Sequence, residues 1–193
     1  MKIAILKYNA GNTASVRNAL QRMGYSPLIT DNAEEIMAAD KLIFPGVGKA
    51  SSAMRYLRAK GLDRLIPALK QPVLGICLGM QLMCKSSEEG PTAGMGIFDV
   101  AVKRFPAKGT VPHMGWNNLS QMKAPLFTGL SATDDFYFVH SYFAEKNEQT
   151  SAACDYILPF SAALQKDNFY AVQFHPEKSG AMGEKLLQNF IEL

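Results

Sequence analysis

The chain has 193 residues, 48% of them hydrophobic, enough for one domain with a sizeable core, and one unit spanning 1–193 is expected. Its 20 basic and 17 acidic residues leave a net charge of +3, and the densest basic group is only Lys103-Arg104 with Lys108 nearby, so nucleic-acid binding is not expected. Three cysteines do not make a disulfide scaffold, no C-x-x-C pair or close Cys/His cluster marks a metal site, and no apolar run reaches the roughly 18 residues of a membrane span. The chain enters a strand at once, without signal-peptide organisation, so a reducing cytoplasm is the expected setting.

In chain order, residues 2–8 read as an apolar strand. Residues 12–23 read as a helix with Val16, Leu20 and Met23 on one face, stopped by Gly24. A short strand at 26–30 and a brief helix at 33–39 follow. Residues 41–44 form a strand ended by Pro45-Gly46, and 49–70 are helical with a break near Gly61. Residues 73–76 are again a strand. This alternation predicts an α/β domain with a mostly parallel central sheet flanked by helices. The second half adds strands expected to pair antiparallel at 96–105, 136–143 and 151–158, the last ended by Pro159. A hairpin joins 161–165 to 169–174 around Asp167-Asn168, and 183–193 is a closing helix with Leu186, Leu187, Phe190 and Ile191 inward.

The run Val73-Leu74-Gly75-Ile76-Cys77-Leu78-Gly79-Met80-Gln81 carries the chemistry. A strand feeds Gly-x-Cys-x-Gly and a helix, the layout of a nucleophile elbow with a thiol in the hydroxyl's place. A helix N-terminus and a paired imidazole both favour the thiolate. Cys84 is expected two helical turns further along the same face, as packing. Cys154, in an alternating strand, lacks catalytic surroundings. His175 stands before Pro176, at a strand's carboxyl end, where open α/β sheets gather their sites. Glu177 is placed to hold the imidazole. Cys77, His175 and Glu177 therefore point to acyl transfer through a thioester. His140 reads as structural and near the site; His113, before Met114-Gly115-Trp116-Asn117, equally fits a loop-stabilising role. Pro45-Gly46-Val47-Gly48 offers backbone amides for a developing oxyanion. It lacks the Walker lysine and the full dinucleotide fingerprint.

Together, Pro45-Gly46-Val47-Gly48, the elbow around Cys77 and His175-Pro176-Glu177 resemble a class I glutamine amidotransferase. Within it, Pro112-His113-Met114-Gly115-Trp116-Asn117 and Tyr137-Phe138-Val139-His140-Ser141-Tyr142 resemble the glutaminase branch of the imidazole glycerol phosphate synthases, over nearly the whole chain. The resemblance implies hydrolysis of glutamine to glutamate and ammonia without a metal or redox cofactor. The ammonia would pass to a (β/α)8-barrel cyclase acting on a phosphoribulosyl formimino aminoimidazole carboxamide ribonucleotide, in histidine biosynthesis. It implies Cys77 as nucleophile, His175 as acid and base, and Glu177 as its orienting group. Val47, Gly48 and Leu78 become backbone oxyanion donors, with Gly46 in the same turn, and the turn is expected to reorient when the partner engages. Gln81 and the Ser141-Tyr142 backbone would meet the substrate; a solvent-facing Gln81 and a Ser141 that merely ends a strand are the plainer alternatives. Asn12, Trp116, Tyr137 and Lys178 match positions near the cyclase interface, Tyr137 being equally compatible with simple packing. Where many relatives carry aspartate before the tyrosine of the first loop, this chain has Lys7, outside the catalytic trio.

The same elbow and His-Pro-Glu element also occur in the glutaminase components of anthranilate, aminodeoxychorismate and guanylate synthases, against which the Pro-His-Met-Gly-Trp-Asn run argues. A stand-alone cysteine peptidase or γ-glutamyl hydrolase would turn over without a partner. A non-catalytic binding subunit would need a broken catalytic requirement, and none is visible.

Overall fold

A computed structural model describes residues 1–193. The first half is β1 (Ile3–Leu6), α1 (Thr13–Arg22), β2 (Leu28–Thr30), α2 (Ala33–Met37), β3 (Lys41–Gly46), α3 (Ala50–Ala59), α4 (Leu62–Ala68), β4 (Val73–Cys77) and α5 (Leu78–Met83). Then come β5 (Cys84–Ser87), β6 (Thr92–Ala93), β7 (Phe98–Arg104), β8 (His113–Asn118), β9 (Asp135–His140), β10 (Tyr142–Ala144), β11 (Thr150–Asp155), β12 (Pro159–Lys166) and β13 (Phe169–Val172). A 3-10 turn, Pro176–Lys178, leads into α6 (Gly180–Glu192).

Eleven strands form one sheet in the order β2-β1-β3-β4-β13-β12-β10-β7-β5-β6, with β11 on β12. From β2 to β13 every pairing is parallel. Beyond β13 antiparallel pairings dominate, the β5–β7 pair being parallel. Strand residues alternate between two buried faces, as a sheet covered on both sides requires. Ala4 and Leu6 join Leu42, Phe44, Met54, Leu57 and Ile66 on one face. Ile3 and Ile5 join Ile43, Ile76, Val16, Leu20, Leu186 and Phe190 on the other.

Several strand boundaries differ from the sequence reading. β3 does not end before Pro45-Gly46; it runs through them, pairing Pro45 with Ile76 and Gly46 with Cys77. Proline fits because it sits near the strand's end. α5 stops at Met83, so Cys84 opens β5 instead of continuing the helix; it is fully buried, which keeps its packing role. The expected strand 136–143 is two strands in different sheets, broken at Ser141. Pro159 opens β12 rather than ending β11, which stops at Asp155 and is buried from Thr150 to Cys154 without alternation. β8, not anticipated as a strand, pairs antiparallel with β9 as a separate two-stranded sheet. The break near Gly61, the Asp167-Asn168 turn and the inward residues of α6 match the sequence reading.

Candidate active site

The site sits where β3, β4 and β13 end side by side. Cys77 closes β4 and immediately precedes α5, with φ 53° and ψ −107°. A non-glycine residue with positive φ is strained by roughly 1–3 kcal/mol and persists only where its surroundings dictate it. Those surroundings are tight. A Cβ at Gly79 would overlap the carbonyl oxygen of Phe44, so only glycine lets α5 lie this close to β3. The turn leaves Cys77 7% exposed beside an open cleft of about 390 Å³, a size suited to a small ligand.

His175 follows β13 and is pinned to the other sheet: its N–H donates to Tyr137 O at 2.9 Å, and Ser179 Oγ donates to His175 O at 2.7 Å. His175 Nδ1 and Glu177 Oε1 are 2.8 Å apart, with both side chains 1% exposed. Because a carboxylate only accepts, the proton of that bond belongs to Nδ1. Nε2 has no hydrogen-bond partner, while the Cys77 thiol lies close enough to act on the ring. Burial alone would lower the His175 pKa. The neighbouring Cys77 and Glu177 overcome it and raise the pKa to about 10. The structure thus brings the Cys77 sulfur, the His175 imidazole and the Glu177 carboxyl group together in sequence.

Asn12 enters the same cluster. It holds the N-cap position of α1 but makes no side-chain cap; its Nδ2 instead donates to Glu177 Oε1 at 3.3 Å. The residue read as an interface candidate therefore also touches the Glu177 carboxylate. Tyr8 OH is buried without a partner against Gly46. Burial, then the charge of Cys77, raise its pKa well above 10, so it remains a neutral phenol.

The cleft is lined by Val47, Gly48, Leu78, Gln81, Ser141 and Tyr142, all read from the sequence. Gly46 does not line it. Lys49, Glu89, Pro112, Val139 and His140 also line it and were not singled out as binding residues. Val47 N–H is engaged elsewhere, donating to Ala10 O at 2.6 Å. Gly48, with φ 108°, supplies the backbone freedom at this turn. Gln81 is only 5% exposed, which removes the solvent-facing alternative. Its Nε2 donates to Tyr142 O and to Gln173 Oε1, both at 3.0 Å. With both amide hydrogens used, Gln81 Oε1 is the atom left to accept a bond.

Behind Tyr142 lies a buried histidine pair, with His113 Nδ1 and His140 Nε2 3.0 Å apart. His140 Nδ1 is 2.8 Å from Tyr142 O, an acceptor, so Nδ1 carries the proton and Nε2 accepts from His113. Asn117 Nδ2 then faces His113 Nε2 at 3.4 Å. Burial lowers the pKa of His113 to about 4 and of His140 to about 3, and both rings are neutral. On the outer side of β8, Met114 and Trp116 are exposed at 62% and 58%. Trp116 meets Tyr137 edge-on, with ring centroids 5.8 Å apart, and Lys178 Nζ lies 6.0 Å from the Tyr137 ring centre.

A thiol in a strand-to-helix elbow, a carboxylate-held imidazole, a small-ligand cleft and an α/β sheet define an acyl-transfer enzyme of the amidotransferase type. The family model "Glutamine amidotransferase class-I" matches residues 4–193, and the chain belongs to that family. Among curated relatives, imidazole glycerol phosphate synthase subunit HisH of Bacteroides fragilis YCH46 is 58% identical over 196 residues, covering both chains fully. The subunit of the same name from Salmonella typhimurium LT2 is 48% identical over 198 residues, again covering both fully. Solved structures agree on the fold. A glutamine amidotransferase 20% identical superposes with a TM-score of 0.75 over 98% of this chain and 97% of its own. Another from Thermotoga maritima, 15% identical, gives 0.67 over 100% and 81%. No helix is long and apolar enough to cross a membrane.

Proposed function

We propose that this chain is the glutaminase subunit of an imidazole glycerol phosphate synthase, releasing ammonia from glutamine for a cyclase subunit in histidine biosynthesis. The observation that carries the chemical part is Cys77, held in a strained elbow at the end of β4, beside an imidazole fixed by a buried carboxylate after the neighbouring β13. The full-length likeness to the HisH subunits supports the specific acceptor.

In this reading the Cys77 sulfur attacks the side-chain carboxamide carbon of glutamine. The oxyanion forms against N–H groups of Leu78 and the Val47-Gly48 turn. Imidazolium His175 gives its Nε2 proton to the departing nitrogen, and ammonia leaves a γ-glutamyl thioester. Neutral His175 then takes a proton from water, whose oxygen attacks the thioester carbon. The adduct collapses, glutamate leaves, and the thiolate and imidazolium His175 are restored. Glu177 holds the ring and stabilises its charged form throughout. Gln81 Oε1 and the Ser141-Tyr142 backbone receive the amino-acid end of glutamine.

The Val47 bond to Ala10 fits a resting state in which one oxyanion donor is withheld. Ala10 lies two residues from Asn12, which grips Glu177. A partner seated over Asn12, Trp116, Tyr137 and Lys178 is therefore positioned to free that donor. The partner proposed is a (β/α)8-barrel cyclase.

The test is glutamate release by the purified chain, alone and with a cyclase plus its nucleotide substrate. Slow release alone, strong stimulation by the pair and loss of both in Cys77→Ala are expected. Unstimulated release beside a cyclase active on free ammonia would reassign the acceptor; turnover by Cys77→Ala would remove the thioester mechanism.

A further inference from the structure

Gln173 lies between β13 and His175, is fully buried, and has no place in the mechanism above. Its Nε2 stands 3.6 Å from Cys77 Sγ. Its Oε1 accepts from Gln81 Nε2 at 3.0 Å. Amide orientations are ambiguous until a partner of known polarity fixes them. Here a backbone carbonyl does so. Tyr142 O can only accept, so the Gln81 atom 3.0 Å from it is the amide nitrogen. That nitrogen spends its second hydrogen on Gln173, which must present oxygen to it. Gln173 Nε2 is then the atom left facing the sulfur, and it donates. The reverse orientation of either amide would set two N–H groups or two oxygens against each other in a buried site.

We infer that Gln173 is a positioning residue for the nucleophile: it donates a hydrogen bond to the Cys77 sulfur, and Gln81 holds its amide in the donating orientation. The sulfur has a second neighbour, Val139 O, at 4.0 Å, which offers no donor. Gln173 thus complements His175 by meeting the thiolate from inside the sheet. Hydrogen bonds to charged groups are stronger than neutral ones, and buried ones are not weakened by water. The bond favours the thiolate over the thiol and aims it at the cleft. Gln81 consequently has two tasks, one toward glutamine and one toward the sulfur. The inference rests on Cys77 being the nucleophile proposed above.

The test is the pH profile of Cys77 alkylation by iodoacetamide in the full chain, without glutamine or partner. Cys84 and Cys154 are 0% and 1% exposed, and burial raises both thiol pKa values, that of Cys154 to about 12, so the native chain reports Cys77. Gln173→Met keeps the length and removes the donor. It is expected to move the profile to higher pH and slow alkylation at pH 7 by about tenfold, the effect of losing one hydrogen bond to a charged atom. Gln81→Met, which does not touch the sulfur, is expected to move the profile the same way by less. On the Gln173→Met background it is expected to add nothing, because both act through one bond.

Unmoved profiles in both folded single variants would overturn the inference. So would effects of the two that simply add, since Gln81 would then not act through Gln173. If Gln173→Met does not fold, Gln81→Met decides alone. Failure of the underlying reading is separately visible: Cys77→Ala would still release glutamate with the cyclase, whatever the alkylation profiles do.

Discussion

Replacing Glu177 by Gln isolates the charge of the carboxylate beside His175 from its shape. Two donors converge on Oε1: His175 Nδ1 at 2.8 Å and Asn12 Nδ2 at 3.3 Å. A glutamine carbonyl oxygen satisfies both, which directs the new amide nitrogen to the position of Oε2, an atom with no partner. The ring should keep its place and its Nδ1 proton while losing the charge beside it. Replacing a charge-assisted bond by a neutral one removes about 1.5 kcal/mol. A unit charge about 4 Å away at an effective dielectric of about 20 sets an upper bound of about 4 kcal/mol. At about 1.36 kcal/mol per pH unit, the His175 pKa should fall from about 10 by about one to three units. The assay is the imidazole titration followed by NMR, beside glutamate release with the cyclase. The rate should drop by about tenfold to a thousandfold, less than in Cys77→Ala. An unchanged titration together with unchanged turnover would mean that Glu177 does not act on His175.

Gly79→Ala should destabilise the fold by about 2 kcal/mol and displace the elbow, since its methyl group has nowhere to go but the Phe44 carbonyl; a urea midpoint equivalent to a change under about 0.5 kcal/mol would refute the close-approach argument. Trp116→Ala should leave folding stability nearly unchanged, the ring being 58% exposed, yet weaken cyclase binding by about tenfold or more, as read by calorimetry; equal affinity would take Trp116 out of the interface. The His113–His140 pair should make the fold acid-sensitive. Both pKa values are lowered in the folded chain, so the stability they contribute is full above about 6.5 and is lost as pH falls toward 4 and 3. The gap between 6.5 and about 4, at about 1.36 kcal/mol per pH unit, sets an upper bound of about 3 kcal/mol for His113 alone, reduced by solvent screening. His175 cannot offset this loss: its raised pKa gives stability already complete below about 6.5 and lost only as pH rises through about 10. Urea midpoints at pH 7 and pH 4 measure the fall, which should be shallower in His113→Gln; equal slopes for the two chains would exclude the pair as its source.

The parallel half of the fold was legible because each strand there is a continuous apolar run followed by a helix-period segment, both faces of the sheet being covered. The antiparallel half was harder for a local reason. Residues 135–144 keep one strand-like pattern across Ser141, although the hydrogen-bonding partner changes from β8 to β7 and β12. Sequence pattern reports which residues are apolar, not which edge they pair with. β8 escaped notice because His113, Gly115 and Asn117 occupy its inner positions, and histidine, glycine and asparagine give no apolar alternation; the imidazole pair and Asn117 find their partners only in the folded chain.

The same distinction runs through the site. Cys77, His175 and Glu177 were legible because their chemistry is written into residue type and into short motifs. Asn12 was readable only as an interface position: its place before α1 signals a helix cap, and only the folded chain brings Glu177 across to claim its amide. Gln173 carried no signal of its own, sitting two residues before the histidine in an otherwise apolar run. Its significance comes from polarity passed along a chain of partners, from the Tyr142 carbonyl through Gln81 to the sulfur. A glutamine with no side-chain partner would be costly in that buried position, whereas one whose oxygen and nitrogen are both engaged fixes the direction of every bond around it. The sheet topology supplies this constraint by setting the ends of β4 and β13 side by side, so that the residues following Val172 meet those following Ile76. The Cys77 sulfur and the amide that faces it are thus neighbours through strand pairing, 96 residues apart in the chain.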